Sequence, residues 1–466
     1  MTGVRLHSTL TGADEPLQAG PDGVIGIYAC GPTAYSRIHI GNARPFVVFS
    51  LLKRYLERRG MRCRLVINIT DVNDKIYDAA RAEGIPSRDL AERCTQQYIA
   101  DTDRLGIGRP DAEPRVTDTM DEIVGLIGDL VDRGLAYAAD GDVYFRVGAF
   151  PGYGCLSGRH LEDMVATEEG DRKEAPLDFA LWKGRKDGED AWWESPWGPG
   201  RPGWHVECSA MAERELGMGF SVHGGGIDLV FPHHENEIAQ SEGARRVPFA
   251  RIWMHNEMLE LSDSKMSKSI GNIALLSDVI DRWGAETVIA YFVQSHYRSR
   301  LPFSDERLRD AEAACERIRN AVRALDRALD APGDTNDTAL ARALVTCRQR
   351  FHSSMDDDFG TPGAIAALFD LVRGINQALE RSRPADGQLR EVRMEITGLL
   401  DMLGLAGLAA ATVPDVPADV LEMLGVREDA RRERDFARAD EMRDAIRARG
   451  FDLRDGPEGP EVYPTP

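Results

Sequence analysis

The sequence lacks several features that would assign a protein to a class at once. No apolar run approaches the roughly 20 residues that a membrane-spanning helix needs, and the first residues lack the apolar core of a secretory signal. The seven cysteines are scattered and include no Cys-x-x-Cys pair, which argues against a disulfide framework and favours reduced thiols. We therefore expect a cytoplasmic protein that makes no membrane contact.

An excess of positive charge is also missing. The chain has 57 Lys and Arg against 77 Asp and Glu, which gives a net charge of −20. General nucleic-acid binders usually carry a basic surface, so this balance counts against that class but leaves local basic patches open. The 466 residues, 42% of them hydrophobic, are typical of a soluble globular protein, and a prior of roughly 150 residues per domain suggests about three domains.

The first part of the chain has the pattern of a parallel sheet. Residues 23–30 and 63–70 are short apolar runs rich in β-branched residues, which predict two buried strands. Between them, residues 43–59 have apolar side chains at helical spacing, with Asn42 at the position of an N-cap. Strand, helix and strand over this length predict a βαβ unit.

The rest of the chain predicts an insertion and then helices. Residues 111–200 break the alternation, the strand pattern returns at 220–226 and 252–258, and nearly all the sequence after residue 304 has helical spacing. We predict a Rossmann-like doubly wound α/β domain with an insertion, followed by an all-α half. The predicted boundaries are 1–110 and 201–303 for the two halves of the α/β domain, 111–200 for the insertion, 304–410 for a helical domain and 411–466 for a small C-terminal module.

A short string at the start of the first helix suggests a phosphate site. His39-Ile40-Gly41-Asn42 lies where free backbone N–H groups and the positive end of the helix dipole attract anions. Gly41 lets the backbone approach a ligand closely, and His39 can donate to a phosphate oxygen. On its own, however, a histidine ahead of a helix is more often a surface cap.

A second string, far downstream, strengthens this interpretation. In Lys265-Met266-Ser267-Lys268-Ser269, the two lysines place two ammonium groups on a loop of small residues. Such charge suits the transition state in which the α-phosphorus of ATP is attacked and pyrophosphate leaves. A solvated surface loop is the alternative for any lysine pair, but the ordered string is far more specific. Together the two strings predict a site for the phosphates of ATP.

Residues from distant parts of the chain form a set suited to zinc. Cys30 ends the first predicted strand, at the edge where open α/β sheets bind ligands, and Cys208 adds a second thiol. His233 and Glu237 are four residues apart on a predicted helix and so share one face. His234 is a rival ligand that spacing does not exclude. From spacing alone, core cysteines beside a surface ion pair remain an open alternative.

The strings resemble the two signatures of class I aminoacyl-tRNA synthetases, H-I-G-H and K-M-S-K-S. The second is intact, whereas Asn42 stands in place of the final histidine of the first. This variant and the surrounding residues 28–45 (YACGPTAYSRIHIGNARP) resemble the cysteinyl-tRNA synthetase family. The resemblance covers nearly the whole chain and is strongest at 25–76 and 200–300.

This resemblance implies a role for each candidate residue. Family members bind zinc through residues matching Cys30, Cys208, His233 and Glu237. One zinc per chain would bind the substrate thiolate and discriminate against serine, because zinc favours thiolate over hydroxyl. The implied ATP site consists of His39, Gly41, Asn42, Asp228 at the ribose, Lys265 and Lys268. Of these, His39, Asn42, Lys265 and Lys268 are the expected catalytic residues. The implied cysteine pocket is lined by Thr70, Trp204 and His223.

The resemblance also implies a reaction and partners. A monomer would use ATP with Mg²⁺ to form cysteinyl-adenylate from L-cysteine and then charge tRNA(Cys). Residues 356–362 (DDDFGTP) and a mixed-charge helix over 427–449, with Phe436, Met442 and Ile446 on one side, resemble the tRNA-binding half. For that helix the alternative is a salt-bridged surface element.

Two other functions stay open from the sequence. One is a ligase that activates cysteine and passes it to an amino-sugar, which should lack the long helical half. The other is a non-catalytic tRNA-binding protein on the same scaffold, which would not need intact phosphate and metal sets. Pyrophosphate exchange and the identity of the acceptor distinguish the three functions.

Overall fold

The computed structural model describes residues 3–165, 172–261, 274–410, 417–456 and 459–464. The chain forms two compact units, Met1–Ala409 and Ala410–Pro466. Within the described ranges, no helix is both long and apolar enough to cross a membrane.

The first unit combines short strands with longer helices. Its strands are β1 Arg5–Ser8, β2 Ala13–Pro16, β3 Val24–Ala29, β4 Arg62–Ile67, β5 Ala136–Ala139, β6 Asp142–Phe145, β7 Phe179–Gly184, β8 Gly200–Pro202, β9 Phe220–Gly226, β10 Ala250–Asn256, β11 Leu259–Leu261 and β12 Leu301–Phe303. Its helices are α1 Ile40–Arg58, α2 Asp74–Glu83, α3 Ser87–Asp103, α4 Met120–Asp132, α5 Trp204–Leu216, α6 Glu235–Arg245, α7 Leu276–Trp283, α8 Ala285–Val293, α9 Asp305–Asp330, α10 Thr338–Asp356, α11 Thr361–Arg381 and α12 Asp386–Met402.

A parallel sheet forms the centre of the α/β domain. Its order is β10-β9-β3-β4, and Ile27 of β3 lies opposite Leu65 of β4 and Val222 of β9. The chain moves outward from β3 to β4 in one direction and from β9 to β10 in the other, so the sheet is doubly wound. The predicted fold class is confirmed, and the change of direction between β3 and β9 marks the edge where such sheets bind ligands.

The segment that breaks the alternation carries its own sheet. Strands β5 to β8 form an antiparallel sheet in the order β5-β6-β7-β8. After β8, the N–H of Gly203 donates to the carbonyl of Leu181 at 2.8 Å. A Cβ at this glycine would lie 1.9 Å from the Ala180 carbonyl oxygen. Only glycine allows this close approach, which fixes where α5 begins and thus where Trp204 and Cys208 lie.

The hydrophobic core continues from the sheet into the helical half. Leu52 of α1, Leu308 of α9 and Leu400 of α12 belong to one buried cluster. In the described part of this unit, the hydrophobic core therefore continues across residue 304. The boundary at 303/304 stays a prediction about which residues bind which substrate. The residues on either side of it share one core.

The second unit is smaller and mixed. It contains α13 Ala418–Arg432, α14 Phe436–Arg447, and the antiparallel pair β13 Phe451–Gly456 and β14 Gly459–Pro464. The prediction of one continuous helix over 427–449 is wrong. The backbone turns at Arg434, whose φ is 65°, and the Asp435 side chain caps α14 by accepting the N–H of Arg438 at 3.1 Å.

The side chains of α14 also differ from the predicted pattern. Ile446 is fully buried, whereas Phe436 is 64% exposed, so the two do not share a packed face. Arg447 pairs with Asp452 at 3.0 Å and Arg449 with Asp419 at 2.8 Å. These two arginines therefore fit the alternative of a salt-bridged surface.

Candidate active site

The predicted metal residues meet at the carboxyl edge of the parallel sheet. Cys30, Cys208, His233 and Glu237 each bring one ligand atom into a group whose atoms lie within 4.8 Å of one another. The sulfur of Cys30 is 3.8 Å from that of Cys208. It is 3.6 Å from His233 Nε2 and 3.5 Å from Glu237 Oε1. The four residues lie directly after β3, in helix α5, in the short helical segment Val230–His234, and in the first turn of α6.

The donor set fits a tetrahedral zinc. With Zn–S bonds of about 2.3 Å, two sulfurs of a tetrahedral site lie roughly 3.8 Å apart, which is the separation of Cys30 and Cys208. Zinc binds thiolates, imidazoles and carboxylates in such sites. The chemistry and spacing of the four residues therefore match the predicted ion.

The structure also brings the rival histidine to the cluster. Cys30, His223, His234 and Glu237 form a second group within the same 4.8 Å limit. His234 Nε2 lies 3.3 Å from Cys30 Sγ, and His223 Nε2 lies 2.8 Å from Glu237 Oε2. His234 Nδ1 is in turn 2.7 Å from Nε2 of His255. Geometry alone therefore leaves both histidines within reach.

Burial and neighbouring charge control protonation here. Burial lowers the pKa of His233, but the charges of Glu237 and Cys208 outweigh it and raise the pKa to about 10. Burial raises the pKa of Glu237, yet His223 and His233 outweigh it and lower the pKa to about 2. In the metal-free protein a proton thus sits between these two residues, where a cation would replace it.

Burial and hydrogen bonding also shift the pKa values of the two thiols, in opposite directions. Burial raises the pKa of the Cys30 thiol well above its usual value. A hydrogen bond from Cys30 lowers the pKa of Cys208 to about 6. One thiolate is therefore present near neutral pH, and the second proton must leave when a metal binds.

A hydrogen bond to His205 orients the imidazole of His233. The two Nδ1 atoms are 2.9 Å apart, and burial lowers the pKa of His205 well below its usual value. The neutral His205 can therefore accept the Nδ1–H of His233, which leaves His233 Nε2 to face Cys30 and Glu237. No spacing rule marks His205 in the sequence, although it stands next to Trp204.

The predicted pocket residues surround this cluster. Trp204 is 36% exposed and stacks on His233, with ring centroids 4.4 Å apart. The hydroxyl of Thr70 donates to Glu207 at 3.4 Å. His223 stacks on Trp253 at 4.3 Å. Trp204 thus lies on the solvent-exposed side of the cluster, whereas Thr70 and His223 are buried.

Glu235, another neighbour of the cluster, was missed by pattern alone. Its buried carboxylate accepts backbone N–H groups of Gly154 and Ser157, both at 2.8 Å. The metal-bearing start of α6 is therefore tied to the insertion. A glutamate inside a predicted helix carries no signal for such a contact, because its partners are about 80 positions away in sequence.

The first signature string forms the start of α1, but its cap differs from the prediction. His39 is the N-cap, and its Nδ1 accepts the N–H of Gly41 at 3.1 Å. Asn42, predicted as the cap, is the third helical residue, and its side chain accepts the N–H of His39 at 3.4 Å. The reciprocal pair satisfies both free N–H groups, which is why the helix starts earlier.

This cap also sets the proton on His39. Burial lowers the pKa of His39, so the ring is neutral at pH 7. Because Nδ1 accepts the N–H of Gly41, the remaining proton lies on Nε2. His39 can therefore donate a hydrogen bond from Nε2, as the phosphate interpretation requires.

The second signature string, with Lys265 and Lys268, lies outside the described residues. Its carboxyl flank is visible beside α1: Ile40 donates to Ala274 O at 2.9 Å, and Leu276 donates to Ile38 O at 3.0 Å. Asp228 lies in a short turn directly after β9. The roles of these three side chains in ATP binding stay predictions.

Comparisons with known proteins identify the family. The class I (C) catalytic domain of tRNA synthetases matches residues 17–313, the DALR domain matches 350–407, and the cysteinyl-tRNA ligase anticodon binding domain matches 413–462. The cysteine–tRNA ligase of Desulforudis audaxviator is 44% identical, with 98% of this chain and 99% of that protein covered. This chain belongs to the cysteine–tRNA ligase family.

Further relatives agree with this assignment. The cysteine–tRNA ligases of Symbiobacterium thermophilum and Brevibacillus brevis are 44% and 43% identical, each with 98% of both chains covered. The predicted resemblance and the predicted enzyme class, a class I synthetase, are confirmed.

Solved structures show the same fold at low identity. Methionyl-tRNA synthetase of Mycobacterium tuberculosis has a TM-score of 0.61 at 17% identity, covering 86% of this chain and 94% of that one. A putative arginyl-tRNA synthetase of Campylobacter jejuni has a TM-score of 0.59 at 12% identity, covering 84% and 94%. These likenesses support the fold alone.

Proposed function

We propose that this chain ligates L-cysteine to tRNA(Cys) in two ATP-dependent steps, in the cytoplasm and as a monomer. The cysteine carboxylate attacks the α-phosphorus of ATP to give cysteinyl-adenylate and pyrophosphate. A terminal ribose hydroxyl of the tRNA then attacks the carbonyl carbon of the adenylate, which breaks the acyl–phosphate bond and releases cysteinyl-tRNA and AMP. The observation that carries the proposal is the cluster of two thiols, an imidazole and a carboxylate at the carboxyl edge of the parallel sheet. This sheet lies within the match to the class I (C) catalytic domain.

Selection of cysteine rests on the metal set. Cys30, Cys208, His233 and Glu237 would hold one zinc, which supplies a soft Lewis acid that binds thiolate in preference to hydroxyl. The set with two thiols suits zinc better than the set built on His234. As a non-ligand, His234 is placed to donate Nε2–H to Cys30 Sγ at 3.3 Å.

The substrate itself would lie on the open side of the cluster. Trp204 is the exposed wall there, so its ring can close over a bound amino acid. Buried Thr70 and His223 keep the floor polar, and His223 fixes Glu237 at 2.8 Å. A site that reads a polar group directly can reject an analogue without a separate editing reaction.

Adenylate formation would depend on positioning and charge. The Nε2–H of His39 would face the phosphates, and Asn42 holds the cap that fixes this ring. Asp228 would bind the ribose, and Lys265 and Lys268 would neutralise the charge of the leaving pyrophosphate, with Mg²⁺ on the phosphates. Such preorganised donors stabilise the transition state more than the bound substrate.

The direct test compares acceptors. The protein should catalyse cysteine-dependent ATP–pyrophosphate exchange and charge a tRNA(Cys) transcript, with no transfer to an amino-sugar. Exchange without charging, but with transfer to an amino-sugar, would favour the alternative ligase. No exchange at all would favour a non-catalytic tRNA-binding protein.

We assign tRNA contact to the helical domains predicted at 304–410 and 411–466. An exposed aromatic supports this for the second unit: Phe436 is 64% exposed at the start of α14, inside the match to the anticodon binding domain. Exposed aromatic rings provide stacking faces for unpaired bases.

Phe436→Ala should raise the KM for tRNA by about 5- to 160-fold, because stacking one base on an aromatic ring contributes roughly 1–3 kcal/mol. Pyrophosphate exchange should be unchanged. Leu421→Ala is the matched control, since Leu421 is 51% exposed in the same unit and has no aromatic face. Equal KM values for the two variants would contradict the assignment.

Removal of residues 410–466 should leave a folded protein that exchanges pyrophosphate but charges tRNA poorly. The reason is that these residues form a compact unit of their own, with a separate small core around Val420 and Ile446. Truncation before Ser304 is expected to unfold the protein instead, because the core crosses that position. Circular dichroism and exchange assays on both truncations check this, and normal charging by the shorter deletion would refute it.

A further inference from the structure

Arg44 is a buried cation two residues after the first signature string. Only 1% of it is exposed. Its Nη1 donates to the carbonyls of Glu257 at 2.6 Å and Met258 at 3.4 Å. Its Nη2 donates to the carbonyls of His296 at 3.0 Å and Ser299 at 2.8 Å. Four backbone oxygens from two separate segments therefore meet on one guanidinium.

Burial of the Arg44 charge costs free energy of folding. Among the residues that the structure describes, no carboxylate lies within ion-pair distance of Arg44. Burial lowers the pKa of Arg44 to about 10, so the side chain still carries its charge at neutral pH. Apolar side chains of similar volume often stabilise a fold better than a buried charge does. Stability alone therefore does not explain Arg44, and the segments that it binds do.

The first contacted segment leads into the second signature. Glu257 and Met258 lie between β10 and β11, on the amino side of the lysine string. The carboxyl flank of that string is held by Ile38 and Ile40 through Ala274 and Leu276. Both flanks of the lysine string are thus attached at the start of α1, beside the other signature.

The second contacted segment supports the first. The turn 296–299 leads into β12, and β12 pairs with β11 through Leu259 and Leu301. Arg44 therefore fastens both members of the β11–β12 pair to α1. A guanidinium suits this task because its planar fork presents donors in several fixed directions, whereas a lysine presents a point charge.

We propose that Arg44 is a positioning residue for adenylate formation, which holds the backbone of Glu257 and Met258 in place against α1, next to the first signature. The inference rests on the proposed function and extends it to a residue without substrate contact. Loss of these contacts should slow the chemical step and leave the cysteine site intact, because no metal or pocket residue contacts Arg44.

The DDDFG motif holds the same turn from the helical half. The Asp358 carboxylate accepts the Arg298 Nε–H at 2.7 Å, the hydroxyl of Tyr297, and the N–H of His7 at 2.8 Å. Its carbonyl accepts from His296 Nε2 at 3.0 Å. The turn is therefore clamped between α1 and the α10–α11 junction, and Asp358 offers a second place to loosen it.

The test compares Arg44→Lys with Arg54→Lys in the full-length holoprotein. Arg54 is a matched control on the same helix, since it also donates to backbone carbonyls, those of Asp401 and Gly106, both at 3.3 Å. Exchange kcat, normalised to active sites by adenylate titration, should fall at least tenfold for Arg44→Lys and less than twofold for Arg54→Lys. Zinc content and the KM for cysteine should stay within twofold of the parent.

Asp358→Asn keeps the proposal testable if Arg44→Lys does not fold. It should also lower kcat without raising the KM for cysteine, and its effect should be less than additive with Arg44→Lys where both fold. Equal kcat for Arg44→Lys and Arg54→Lys, or an unchanged kcat for Asp358→Asn if Arg44→Lys is unfolded, would overturn the role of Arg44. A parent protein without cysteine-dependent exchange would overturn the proposed function itself.

Discussion

Cys30→Ser should remove most of the bound zinc and weaken cysteine binding far more than ATP binding. The substitution replaces a soft thiolate by a hydroxyl in a set where the two sulfurs are 3.8 Å apart. Tetrahedral zinc sites need all four ligands, so the loss of one should weaken metal binding, whereas the phosphate site at His39 is built from other residues. Elemental analysis and titration with cysteine and ATP measure the three quantities together.

A buried cysteine outside the cluster is the matched control. Cys347 of α10 is 2% exposed and lies in the core of the helical half. Cys347→Ser should lower stability but leave zinc content and cysteine affinity unchanged. If Cys30→Ser retains zinc and full preference for cysteine over serine, the thiol is read by an apolar pocket and the metal proposal is wrong.

Lys268→Ala should strongly slow adenylate formation while leaving cysteine binding nearly intact. The lysine is predicted to meet charge that appears only as pyrophosphate leaves, so its loss should lower kcat more than it raises KM. Each 1.4 kcal/mol of lost transition-state stabilisation corresponds to about a tenfold slower rate. Pre-steady-state adenylate formation at saturating ATP measures the effect.

Lys183→Ala tests whether any lysine would give the same result. Lys183 lies on β7 in the insertion and pairs with Asp74 at 3.4 Å. Its removal should leave the adenylate rate within about twofold of the parent, as expected for a surface pair. A Lys268→Ala rate that is equally close to the parent would exclude Lys268 from the chemical step.

Much of the α/β domain could be predicted because each strand has its own local run of apolar residues. The apolar run at 23–30 contains β3, the run at 63–70 covers β4 except for its first residue, and the run at 220–226 is β9. Almost all side chains of β3 and β9 and those of the second half of β4 are buried on both faces, so the hydrophobic pattern directly predicts these strands.

Helix ends were harder, because caps depend on side-chain geometry. Histidine is not a common N-cap residue, yet His39 caps α1 and moves its start ahead of the predicted position. The break between α13 and α14 depends on a residue with positive φ, Arg434, where glycine would be the usual signal. Neither feature has a strong composition signature.

The cluster around the metal could be predicted only in part. Cys30 and His233 are 203 positions apart, and their contact depends on the order of strands in the sheet. The supporting contacts are equally remote: His255 reaches Thr9 at 2.7 Å across 246 positions. Such pairs have no local spacing rule, so the ligand set needed the family resemblance, while His205 and His255 emerged only from the fold.

X-ray absorption at the zinc K-edge, with and without L-cysteine, tests the recognition mechanism most directly. The free protein should hold one zinc with two sulfur neighbours, from Cys30 and Cys208, and two nitrogen or oxygen neighbours, from His233 and Glu237. Addition of L-cysteine should raise the sulfur count to three, and L-serine should leave it at two. Absence of stoichiometric zinc, or a sulfur count that cysteine does not change, would contradict thiol recognition by a metal.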